Sequence, residues 1–303
     1  MDTLGWLALS RGVLDRVAER RRDEEWVEEL WTDPRTRVLP VHEGRALVRL
    51  DGTPELHLLP SDRFPTPPQD RLLLGVDDEG TGYFAAFGPL PLIEGTERAQ
   101  LRRVGALLSD RDSGLLTHAV ALYNWHATHR YCPRCGEPTQ PVAAGHVRAC
   151  PACGAEQFPR VDPAVIMLVR DADDRLLLAR HPEWPERRVS ILAGFVEPGE
   201  SLEQAVIREV REEVGLVVGD VRYLGSQPWP LPQSLMLGFF CQAEPDQELH
   251  EDEEEITDAR WYDRDELQAA ATAGDILLPG KISIARQLIE RWYGGPLPGS
   301  WGL

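Results

Sequence analysis

Three glutamates on one predicted helix stand where their carboxylates could work together. In the stretch GFVEPGESLEQAVIREVREEVGL, Gly194 to Leu216, Glu209 and Glu213 are a helical turn apart and Glu212 lies between them, so all three project close to one another. Carboxylates packed in this way repel unless a cation sits among them. An oxygen-only donor set without histidine suits Mg²⁺ or Mn²⁺. Ser201 followed by Gln204 is a capping box that predicts a helix start at Ser201. Leu202, Val206, Val210 and Val214 give that helix one buried stripe, and Gly215 ends it. A solvated acidic face is the commoner source of a charge run. It explains neither the glycine-rich lead-in nor Arg208 at its offset.

A second constellation is made of thiols. Cys132-Pro-Arg-Cys135 and Cys150-Pro-Ala-Cys153 flank residues 136–149, and a glycine follows each pair. Two such knuckles predict a closed four-thiolate Zn²⁺ site, one per subunit, of the zinc-ribbon kind. With no open coordination position, that site is structural. A redox role for either pair leaves the matched second pair unexplained. His126, His129 and His146 lie nearby and are expected as surface residues, and Cys241, in the run LGFFCQA, as a core residue.

The glutamate stretch resembles the signature G-x5-E-x7-R-E-U-x-E-E-x-G-U (U apolar) of the Nudix hydrolases at all its fixed and apolar positions. The resemblance implies hydrolysis of a nucleoside diphosphate linked to another group. Beyond it, Ser226 to Met236 read SQPWPLPQSLM, which resembles the SQPWPFPxS array of the NADH pyrophosphatase branch, whose members also cleave the NAD cap from RNA. Leu231 departs from the usual phenylalanine. The array makes physical sense as an extended wall fixed by prolines, with Trp229 as a flat apolar surface and Gln227, Gln233 and Ser234 as hydrogen-bonding groups.

The resemblance implies roles for particular residues. Glu209, Glu212 and Glu213 correspond to the metal-binding and water-activating glutamates, with Glu213 preferred as base and more than one catalytic Mg²⁺ or Mn²⁺ per subunit. The carbonyl of Ala193 and the carboxylate of Glu255 correspond to further ligands, Glu254 being the fallback for Glu255. Phe158 and Phe195 correspond to base-contacting aromatics. Gln227, Pro228, Trp229, Pro230, Leu231, Pro232, Gln233 and Ser234 correspond to the substrate array, and Ala285 to a contact near the last helix. Arg208 and Glu200 read as a salt bridge setting the loop against the helix. The family also implies a homodimer. Rival readings are a Nudix hydrolase of ADP-ribose or a dinucleoside polyphosphate, and a non-catalytic zinc-ribbon RNA-binding protein; an intact glutamate set has no purpose in the latter.

The elements that must position these groups follow from composition and periodicity. The 303 residues suggest an α+β chain in three parts: an N-terminal α+β domain (1–128), a zinc ribbon (129–160) and a C-terminal Nudix domain (161–303) built as an α/β/α sandwich with a mixed sheet. The first part is predicted to hold helices over Val13–Leu30, Glu97–Leu108 and Leu115–Thr128, with strands at Ala46–Leu50, Leu72–Val76 and Tyr83–Phe87. The last is predicted to hold strands AVIMLV and LLLAR, further strands near Val217–Leu224, Leu235–Gln242 and Ala259–Tyr262, and a helix over Ile282–Trp292. No internal repeat stands out. A net charge of −18 argues against a general nucleic-acid binder, and the run Glu248–Glu255 is locally dense in acid. The N-terminal segment MDTLGWLALSRG lacks a signal-peptide pattern and no run is long enough to span a membrane. Together with the cysteine usage, this points to the cytoplasm.

Overall fold

The run Arg37–His42 reads RVLPVH, apolar without alternation, because it is the centre of a sheet and is buried on both faces. The computed structural model describes residues 3–64, 71–252 and 254–301; Glu253 of the acidic run and the first two residues of the N-terminal segment lie outside them. The chain divides into an N-terminal unit, Arg11–Val161 with Trp229–Gln233, and a C-terminal unit, Met1–Ser10, Asp162–Pro228 and Ser234–Leu303. No helix of the described residues is long and apolar enough to cross a membrane.

In the N-terminal unit, β1 (Arg37–His42) runs parallel to β6 (Gly82–Phe87) and antiparallel to β2 (Arg45–Arg49) and β4 (Leu59–Pro60). β3 (Glu55–Leu56) and β7 (Glu97–Gln100) pair with β2, and β5 (Arg71–Val76) with β6. Helix α3 (Asp110–Thr128) is capped by the Ser109 hydroxyl, which accepts from the Asp112 amide at 3.2 Å. Two predictions need correction. The helix expected over Val13–Leu30 is a single 3-10 turn, Ala18–Arg20, then α1 (Glu24–Thr32); the Asp23 carboxylate caps the Trp26 amide and starts the helix there. The helix expected over Glu97–Leu108 begins as strand β7, whose Ala99 is buried against β2, and only Leu101–Val104 (α2) is helical. The ribbon counts with this unit and adds the small sheet β8 (Gln140–Val142), β9 (Val147–Ala149) and β10 (Glu156–Gln157).

In the C-terminal unit, β11 (Asp162–Arg170) is again central: parallel to β15 (Ser234–Ala243), antiparallel to β12 (Leu176–Arg180) and to β13 (Leu192–Phe195). β16 (Asp258–Tyr262) extends the sheet beyond β12, and β14 (Val218–Trp229) beyond β15. Successive side chains of β11 leave opposite faces. Val165, Met167 and Val169 meet Val206, Val210 and Val214 of α4 (Leu202–Val214). Ile166 and Leu168 meet Leu267 of α5 (Arg264–Ala273) and Leu288 and Ile289 of α6 (Ile284–Tyr293). The result is a helix layer on each side of a mixed sheet. α5 lies outside the helices predicted from sequence.

The two large sheets share a plan. Each has a central strand (β1, β11) with one parallel neighbour (β6, β15) and one antiparallel neighbour (β2, β12). That antiparallel neighbour carries a further antiparallel strand (β7, β16), and a short strand (β4, β13) also lies on the central one. They differ after the short strand. β13 leads to α4, whereas β4 leads to a 3-10 turn, Ser61–Arg63. Among the described residues, the N-terminal unit keeps the frame and lacks the glutamate helix.

Candidate active site and metal centres

Helix α4 starts where its capping box predicts. The Ser201 hydroxyl accepts from the Gln204 amide and the Gln204 side chain accepts from the Ser201 amide, both at 3.2 Å. Gly215, at φ 73°, ends it in the left-handed conformation glycine tolerates best. With the valine stripe facing the sheet, Glu209 and Glu213 fall on the flank of the buried face and are only 7% and 6% exposed. The neighbouring strand β13 must then pass very close. A Cβ built on Gly194 would lie 1.9 Å from the Glu209 carboxyl carbon, so any larger residue there would push that carboxylate out of its place.

Glu255 reaches the same place from the acidic loop. That loop is stitched to the end of α4 by the His250 amide on the Val214 carbonyl (3.0 Å) and the Asp252 amide on the Glu213 carbonyl (3.1 Å). Carboxylate oxygens of Glu209, Glu213 and Glu255 all come within 4.8 Å of one another. Burial, then the charges of Glu209 and Glu255, push Glu213 up to about 8; burial also raises Glu209. Glu213 Oε2 is buried and has no hydrogen-bond partner. An orphaned oxygen among clustered carboxylates is costly, and a hard divalent cation satisfies it. The donor set therefore fits the ion that the sequence implies.

Arg208 braces the cluster. Its guanidinium holds both Glu200 oxygens (Nε at 2.8 Å, Nη2 at 2.9 Å), Glu209 Oε1 at 2.8 Å, Glu212 Oε2 at 3.1 Å and the Phe195 carbonyl at 2.8 Å. Glu200 in turn accepts from the Glu197 amide, and its bond to Arg208 lowers its pKa. The expected salt bridge is thus one limb of a five-bond clamp. Glu212 lies outside the trio: it is exposed and held by Arg208, because it leaves the helix on the solvent side of Glu209. Ala193 sits beside Gly194 on β13, paired with Ile166. Phe195 is exposed at the end of that strand, and Phe158 is exposed just past β10.

The four ribbon thiols form the second centre. The sulfur pairs Cys132–Cys153, Cys135–Cys150 and Cys135–Cys153 are 3.5–3.6 Å apart and no disulfide joins them. Zn–S bonds of about 2.3 Å in a tetrahedron space sulfurs by about 3.8 Å, so the cage is the right size for zinc. Each knuckle closes alike, Gly136 and Gly154 donating to the Cys132 and Cys150 carbonyls at 2.9 Å. Two of the nearby histidines are not on the surface as expected. His126 and His146 are buried: His126 Nε2 lies 2.8 Å from the Gly145 carbonyl, and His146 Nε2 2.7 Å from the Leu73 carbonyl. Burial takes His146 down to about 4.

The array is a hairpin tip rather than an extended wall. Trp229 ends β14, residues 230–233 turn, and Ser234 opens β15. Gln227 is fully buried, its Oε1 accepting from the Leu9 amide at 3.2 Å and its Nε2 donating to the Ile282 carbonyl at 2.9 Å. Both ends are used inside the C-terminal unit. Ala285 is likewise in the core, its amide capped by the Ser283 hydroxyl. Pro228 and Ser234 are half-buried. Residues 229–233 count with the N-terminal unit, where Asn124 Nδ2 donates to the Pro230 and Pro232 carbonyls (2.9 and 3.0 Å) and Arg102 lies 5.2 Å from the Trp229 ring. The sequence carries no local signal for Asn124 or Arg102, since their partners lie a hundred residues away.

Known proteins resemble the chain along most of its length. Residues 160–278 match the NUDIX domain, residues 127–158 the NADH pyrophosphatase zinc ribbon domain, and residues 35–125 the NADH pyrophosphatase-like rudimentary NUDIX domain. The last match accounts for the shared plan of the two sheets. The NAD-capped RNA hydrolase NudC of Mycobacterium bovis is 46% identical, over 94% of this chain and 94% of its own. NudC of Stutzerimonas stutzeri is 46% identical over 61% of this chain and 64% of its own. The NAD-capped RNA hydrolase NUDT12 of Macaca fascicularis is 32% identical over 93% of this chain and 72% of its own.

Proposed function

The chain belongs to the Nudix hydrolases, in the zinc-ribbon NADH pyrophosphatase branch, and on that premise we propose that it hydrolyses the pyrophosphate of NAD(H) to nicotinamide mononucleotide and AMP and removes NAD caps from RNA. The observation that carries the chemistry is the trio Glu209, Glu213 and Glu255 with its unpartnered Glu213 oxygen. Mg²⁺ or Mn²⁺ bound there neutralises the pyrophosphate and lowers the pKa of water. Glu209, Glu213 and Glu255 would hold the cations, with Glu212 and the Ala193 carbonyl as further ligands. Glu213 takes the proton of the attacking water as it adds in line to one phosphorus, and the bridging P–O bond breaks to release the other half. Arg208 keeps Glu209 and Glu212 in place throughout. Phe195 and Phe158 offer exposed rings for the bases, and Trp229 with the turn Pro230, Leu231, Pro232 and Gln233 offers the surface that selects the dinucleotide. Zn²⁺ in the ribbon is structural. A homodimer and a cytoplasmic location accord with the branch.

Selectivity tests the substrate. Trp229→Ala removes one aromatic contact, worth about 0.5–1.5 kcal/mol beyond its buried area, so kcat/KM on NADH should fall at least about two- to twelve-fold. Hydrolysis of a dinucleoside polyphosphate should change much less. An equal loss on NADH, ADP-ribose and the polyphosphate would make the turn a scaffold only.

A further inference from the structure

The N-terminal unit contains a cavity of about 480 Å³ between the end of α3 and the ribbon, whose lining includes no residue of the array. Its walls include Phe87, Tyr123, Arg130, Tyr131, Thr139 and Arg148, and no aspartate or glutamate. In a chain of net charge −18, an acid-free cleft with two arginines is a local reversal of sign. The rings are fixed at one side and open at the other. Phe87 and Tyr123 meet edge to face at 5.0 Å, while Tyr131 is 65% exposed. Arg148 is anchored: Nε and Nη2 donate to Thr139 Oγ1 and its carbonyl at 2.7 Å, and Nη1 to His126 Nδ1 at 2.9 Å. Arg130 is exposed at the rim, and no ion pair holds it among the described residues.

We infer that this cleft binds an unstacked nucleotide, its base against Tyr131 and Tyr123 and its phosphate toward Arg130. The volume suits one nucleotide, and aromatic platforms beside a cation are how single-stranded nucleic acid is held without sequence preference. The electrostatics give it a purpose. A strongly acidic protein repels an RNA backbone over most of its surface, so a polynucleotide attached to the cap needs a local site that offsets the field. For the RNA chain this rests on the function proposed above; a free mononucleotide has the same chemistry.

The test uses the full chain, with zinc content as the check on folding. Anisotropy of a labelled, uncapped single-stranded RNA, without Mg²⁺ or Mn²⁺, is read for the wild type, Arg130→Ala/Tyr131→Ala and Tyr131→Phe, and AMP binding is measured alongside. The double variant should weaken RNA binding about ten-fold, the scale of one lost stacked base. Tyr131→Phe, which keeps the ring, should bind as the wild type does. kcat/KM on NADH should stay within two-fold, while KM for NAD-capped RNA rises with the RNA dissociation constant. Loss of AMP binding alone would identify a free-nucleotide site of the same chemistry. Unchanged affinity for both RNA and AMP in the double variant would overturn the inference. Because uncapped RNA is not a substrate, this outcome is independent of whether the enzyme cleaves NAD.

Discussion

Glu213→Gln should lose about three orders of magnitude in kcat, the scale of a general base, and yet stabilise the cation-free protein. Both effects have one origin. Burial and like charge push Glu213 up to about 8, so ionising it in the folded protein is unfavourable. With a folded pKa above the unfolded one, the wild type is unpenalised below about pH 4.5, loses stability as pH rises from there to about 8, and levels off above it. Glutamine keeps the size and carries no charge, so its stability lacks this dependence. Melting temperatures in divalent-free buffer should converge toward pH 4.5, separate progressively as pH rises to 8 and stay apart above it, with the variant higher by a penalty on the order of a few kcal/mol. Added Mg²⁺ should raise the wild type and close the gap. Near-wild-type turnover, or equal melting temperatures at pH 8.5 without cation, would remove Glu213 from its role.

Cys132→Ser should abolish zinc binding and melt the ribbon. The sheet β8–β9–β10 has strands of two or three residues and few buried apolar groups, Val147 among them, so it cannot fold on its own core. Metal binding and local folding are then one process. Elemental analysis should find about one zinc per wild-type chain and none in the variant. Limited proteolysis should open residues 129–160 in the variant alone. Wild-type protein purified without zinc would refute the ribbon as a metal site.

The parts of this site that were legible in the sequence are those whose partners are local. α4, its cap, its valine stripe and the Arg208–Glu200 pair all lie within one turn-and-helix segment. The cysteine knuckles are local as well. Side-chain direction at longer range was not legible. Gln227 reads as a hydrogen-bonding group beside Trp229, but its partners, the Leu9 amide and the Ile282 carbonyl, come from distant segments and draw it into the core. The convergence of Glu255 on Glu213 depends on backbone bonds from the acidic loop to the end of α4. β1 is not legible because Pro40 interrupts a short apolar run that does not alternate. Nor is α5, because its apolar face is mostly alanine, although Asp263 and Glu266 spell a capping box that marks its start. The doubled frame leaves no sequence repeat, since the N-terminal unit shares the strand order but, among the described residues, has no helix carrying the signature.

The most direct measurement is product analysis of NADH and NAD-capped RNA hydrolysed in ¹⁸O water with Mg²⁺ or Mn²⁺. The account predicts equimolar reduced nicotinamide mononucleotide and AMP from NADH, with one solvent oxygen in only one of the two products. From the capped RNA it predicts nicotinamide mononucleotide and a 5′-monophosphate end. Intact substrate, or release of free nicotinamide with an unbroken pyrophosphate, would contradict it.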